Sequence, residues 1–124
     1  MNSTLSDIVK KIPDFEEFVA QADKIRTLAL GKLLLENSIK TKESEIYIVA
    51  TTDPKYLVGG KTPAISFIKS AYEFTGLDGE LVASRDSLSK LTTDLEYERQ
   101  VMSVYKDMVS VFQTLSANER GTGF

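Results

Sequence analysis

The stretch from Asp78 to Ala117 constrains this chain more than any other feature. Read as one helix, its 40 residues run about 60 Å at 1.5 Å per residue. Leu81, Leu88, Leu91, Leu95, Met102, Tyr105, Val109 and Phe112 recur at heptad-like spacing. A second row of Val101, Val104, Met108, Val111 and Leu115 thickens the stripe towards its C-terminal end. No Pro or Gly interrupts the stretch after Gly79. Asp78 is placed to cap it, and Glu80 suits the positive end of the helix dipole. A helix of this length needs a partner of similar reach, from the same chain or from another copy.

The same chain supplies one. Asp14 and Glu17 form a capping-box-like start after Pro13. Phe15, Phe18, Ala22, Ile25, Ala29 and Ile39 follow as a heptad-like stripe, broadened by Val19, Leu30, Leu33 and Leu34. Leu28 to Leu35 is apolar on most sides, which calls for more than one covering neighbour. The segment Glu43 to Thr52 is rich in β-branched and aromatic residues, the composition of a strand. Yet Glu43, Ile46 and Ala50 keep the helical phase, and no Gly or Pro intervenes. The spacing therefore predicts a helix from Asp14 to about Ala50, 37 residues long and matched to its partner. The alternative is a β-hairpin within 45–59.

Shorter elements complete the reading. Leu5, Ile8, Val9 and Ile12 predict a short N-terminal docking helix within residues 1–13. Asp53-Pro54 stops the first long helix, and Thr62-Pro63 is expected to cap a third one. Ile65, Ile68, Ala71 and Tyr72 would form its inner face, and Gly76 its C-terminal stop. The residues 118–124 are polar and read as a flexible tail. The expected fold is all-α: one domain built on a long antiparallel helical hairpin, with a shorter packed helix and an N-terminal helix.

Composition narrows the chemistry. The 124 residues contain neither Cys nor His, which removes thiol nucleophiles, thiolate or imidazole metal sites and Ser-His machinery. The expected protein is no enzyme and carries no cofactor and no metal. Residues 1–11 hold no apolar core of signal-peptide length, and no apolar run is long enough to cross a bilayer. A soluble, cytoplasmic protein is expected.

Candidate contacts remain. Gly59-Gly60-Lys61-Thr62 ends like a phosphate-binding loop, but the position of its first glycine holds Lys55. A glycine turn before a helix cap explains it more simply. Asp94, Glu96 and Glu98 cluster on the long stretch, with Lys90 and Arg99 spaced for helical ion pairs with Asp94 and Glu96. Glu98 differs, because it falls in the seam between Leu95 and Met102, where a polar residue sets register or oligomer state. The candidate interaction residues are Leu88, Leu91, Leu95, Glu98, Met102, Tyr105 and Phe112. Lys55, Tyr56, Lys61 and Lys69 are the candidate contacts for an anion or nucleic acid, with Tyr56 expected to be free in its loop.

Charge is unevenly distributed within a net −3. Residues 40–72 carry five bases and three acids, and residues 73–119 carry four bases and nine acids. Ordinary compositional scatter accounts for this first; beyond it, such a polarity can orient head-to-tail assembly or bring the basic end to phosphate. In arrangement alone, a helix followed by Tyr56-Leu57-Val58-Gly59-Gly60-Lys61 resembles the helical recombination mediators of tailed phages. The net acidity opposes the strand binding this implies, and no family is assigned on it. The leading expectation is an interaction or assembly protein (adaptor, chaperone-like or structural) acting on an unknown protein partner and as a homo-oligomer, most simply a dimer. A nucleic-acid accessory protein using the basic turn around residues 55–69 is the alternative.

Overall fold

The computed structural model describes residues 10–122, and the predicted helix at 4–12 lies, except for its last three residues, outside them. Among the described residues the fold is built on α1 (Phe15–Thr52), α2 (Ile65–Ile68, continued by a π-helical turn Lys69–Glu73) and α3 (Glu80–Thr122). The fold is all-α, with α1 and α3 packed together. Among the described residues there is no strand beyond one bridge between Val58 and Lys61.

Helix α1 begins as its sequence dictates. The Asp14 carboxylate accepts the Glu17 N–H at 2.8 Å, satisfying one amide of the first turn. It continues through the ambiguous segment to Thr52. Ile46 and Ala50 are 2% and 0% exposed, so burial of a helical face overrides the β propensity of the residues between them. The hairpin alternative within 45–59 is not formed. At its end the Asp53 carboxylate accepts the Lys55 N–H and caps a single 3₁₀ turn, Pro54–Tyr56.

The packed face of α1 differs from the apolar stripe. Phe15 is 81% exposed and Ala22 is exposed, whereas Gln21 is buried. Phe18, Gln21, Ile25, Leu28, Lys32, Leu35, Ile39, Glu43 and Ile46 keep a 3–4 spacing and are all buried or half-buried. Three polar residues thus hold positions on the packed face that a purely apolar pattern passes over. The run from Leu28 to Leu35 is not covered on all sides either, because Leu30, Leu33 and Leu34 are more than half exposed.

The structure divides into two units, one of Met1–Leu28 with Asp94–Phe124 and the other of Ala29–Thr93. In the first, α1 and α3 run antiparallel. Phe18 meets Tyr105 edge-on at 5.7 Å, and Gln21 reaches Glu98. Leu95 is buried in this pair.

In the second unit, Ile39, Ile46 and Leu81 form the core, with Leu35, Tyr72, Leu77 and Leu88 packed against it. Helix α2 adds Ile68, which is fully buried. Its start departs from the expected cap: Ala64 occupies the N-cap position without a side-chain bond, and Thr62-Pro63 stay outside the helix. Gly76 stops the segment as expected, at φ +87°, with its N–H on the Tyr72 carbonyl at 2.7 Å. An L side chain rarely adopts that backbone conformation.

Helix α3 starts at Glu80 rather than at an Asp78 cap. The Glu80 carboxylate folds back and accepts the Asp78 N–H at 2.7 Å. Its side chain lies where a Cβ on Gly76 would sit, 2.5 Å away, so the stop of one helix and the start of the next share one small space. At the other end α3 runs past Ala117 to Thr122.

Arg85 holds this second unit together. Its guanidinium donates to the Phe74 and Glu73 carbonyls and to the Glu43 carboxylate, and it stacks 4.4 Å from the Phe74 ring. One side chain of α3 therefore satisfies two carbonyls at the end of the α2 segment and pairs with α1.

Candidate functional site

The seven residues at heptad positions of α3 are largely spent on the fold. Leu95 is buried, and Leu88, Leu91, Met102, Tyr105 and Phe112 are half-buried. Leu88 packs on the second unit's core, and Tyr105 packs on Phe18. Glu98 makes the most specific contact of the set. Gln21 Nε2 donates to the Glu98 carbonyl at 2.8 Å and to its carboxylate at 2.7 Å. Lys24 Nζ stands 4.0 Å from the same carboxylate. A buried amide with two bonds to one residue fits only one register of the pair. Gln21 escaped sequence reasoning because it was sought among apolar residues. Its 3–4 spacing from Phe18 and Ile25 was the available signal.

The second row on α3 has a different fate. Tyr97, Val101, Val104, Met108, Val111 and Leu115 follow an unbroken 4–3 alternation, the c and g positions of the heptad whose a and d positions form the seam. At 100° per residue this row lies roughly a third of a turn around the helix from the seam. Tyr97, Val104 and Val111 are 62%, 53% and 50% exposed, and Val101, Met108 and Leu115 are half-buried. So the arm carries two heptad stripes. Only the seam is occupied by α1.

Charges around this second stripe are one-sided. Asp94, Glu96 and Asp107 are exposed and lie within about 100° of its centre. Arg99 and Lys106 fall about 160° to 180° away, on the opposite face. The expected pairs Lys90–Asp94 and Arg99–Glu96 are not formed, and among the described residues these three carboxylates have no ion-pair partner. The same residues contain no group of three or more acids placed to hold a metal ion.

In the second unit, the loop side presents the candidate anion contacts. Lys55, Lys61 and Lys69 are all exposed. Tyr56 is not free: it is half-buried and packs edge-on against Tyr72 at 5.5 Å, with Lys55 Nζ 5.4 Å from its ring centre. Phe67 meets the same Tyr72 at 5.7 Å. The Gly59-Gly60 pair forms a two-residue turn, with φ of +59° and +77° and both backbone bonds closed between Val58 and Lys61. That geometry folds the glycines into a tight hairpin tip instead of a phosphate-wrapping loop.

No protein-family model, no curated protein and no solved structure matches this chain. Among the described residues, no helix is long and apolar enough to cross a membrane.

Proposed function

We propose that this chain is a non-enzymatic assembly protein that works as a homo-oligomer, with the c/g stripe of α3 as its association surface. The observation that supports this is the continuous stripe Tyr97, Val101, Val104, Met108, Val111 and Leu115, half exposed over five helical turns' worth of spacing while the adjacent seam is filled. Helices with two heptad stripes satisfy the second by packing on a further helix, and an apolar patch of this continuity marks association in soluble proteins.

Sedimentation equilibrium tests the reading. The wild-type chain should show a mass above monomer at high micromolar concentration. V104D/V111D should be monomeric with unchanged helicity, because both side chains are half exposed and support no core contact. A wild-type chain that stays monomeric throughout contradicts the reading.

A further inference from the structure

The loop side of the second unit has a composition complementary to that stripe. Residues 54–72 contain three lysines and no Asp or Glu. Lys55, Lys61 and Lys69 share this stretch with exposed apolar groups: Val58 at the hairpin tip is 64% exposed, Ile65 57% and Phe67 45%. Among the described residues, none of the three lysines is paired with a carboxylate. The α3 stripe is the converse surface: apolar residues flanked by the unpaired Asp94, Glu96 and Asp107, with Arg99 and Lys106 on the opposite face and Lys90 two turns before Tyr97. Both surfaces carry exposed apolar side chains.

We infer that the lysine-bearing loop surface of one copy docks on the carboxylate-flanked α3 stripe of a second copy. This inference rests on the proposed self-association and names what fills the stripe. The contact joins unlike surfaces: each copy offers one basic apolar surface and one acidic apolar surface. Assembly closes as a dimer where two copies make the contact reciprocally, and otherwise continues into a ring or an open chain. Apolar burial holds the contact, and the opposed charges select its orientation and make it weaken with salt.

A charge-swap experiment read by sedimentation velocity tests it. K61E/K69E gives a copy with both surfaces acidic, and E96K/D107K gives one with both surfaces basic. All four positions are exposed, and circular dichroism should report unchanged helicity for each variant. Each variant alone should sediment as monomer under conditions where the wild type assembles. Their equimolar mixture should recover assembly, because every contact is then complementary. If K61E/K69E alone assembles like the wild type, the contact between unlike surfaces is wrong, while self-association through α3 stands. If the wild type is monomeric, both fail. Salt-sensitive binding of a single-stranded oligonucleotide that K61E/K69E abolishes, with self-association intact, would overturn the inference in favour of a nucleic-acid surface.

Discussion

Gln21 shows how much a single polar side chain can fix. It is 5% exposed and gives both amide protons to Glu98, so removing it takes the hydrogen-bond donor from a largely buried carboxylate. Q21A should cost about 1–3 kcal/mol by chemical denaturation. Replacing both partners, as Q21L/E98L, should restore much of that stability while loosening the choice of register. Glu80 acts in the second unit. Its pKa is lowered, chiefly by hydrogen bonds from its own N–H and that of Asp78, with smaller help from Leu77 and the Lys42 charge. A lowered folded pKa means that its contribution is complete above the ordinary carboxylate range and is lost as pH falls through the folded value. E80Q should therefore be less stable than wild type at neutral pH, and the difference should shrink as the solution is acidified; an undiminished difference at low pH would show that the charge is not involved. Neither residue's role follows from its type alone: Glu98 was marked by its seam position, whereas the Gly76–Glu80 packing depends on a chain reversal that no local pattern encodes.

At the scale of elements, periodicity carried the reading where both faces of the argument agreed. The 37-residue expectation for α1 ends within two residues of the observed Thr52, because phase persisted through β-branched residues. It misjudged which residues of α1 face inward, because that helix is apolar on two sides. Leu30, Leu33 and Leu34 are as hydrophobic as Leu28 and Leu35, and only the partner decides which set is buried. Thermal unfolding separates them. I46A, deleting a side chain 2% exposed, should cost about 2–5 kcal/mol, whereas L34S should stay within about 0.5 kcal/mol. Equal losses would mean that Leu34 is covered in solution. Helix α2 was legible in its apolar positions and its Gly76 stop. Its π-helical turn and the Arg85 bonds were not, because Arg85 reaches Glu43 across 42 positions of sequence.

At the scale of the molecule, the two long helices pack as a pair and, among the described residues, still leave apolar stripes exposed. That surplus, together with lysines gathered on the loops and carboxylates along α3, supports reading this chain as one part of a larger assembly. The absence of Cys allows a direct test with one introduced thiol. V104C places it on the stripe, and S110C places it on the opposite side of α3 as a reference. Under reducing conditions, the labelling rate of V104C should fall as protein concentration rises through the range where mass increases, while that of S110C stays constant. A V104C rate independent of concentration would mean that no second molecule covers the stripe.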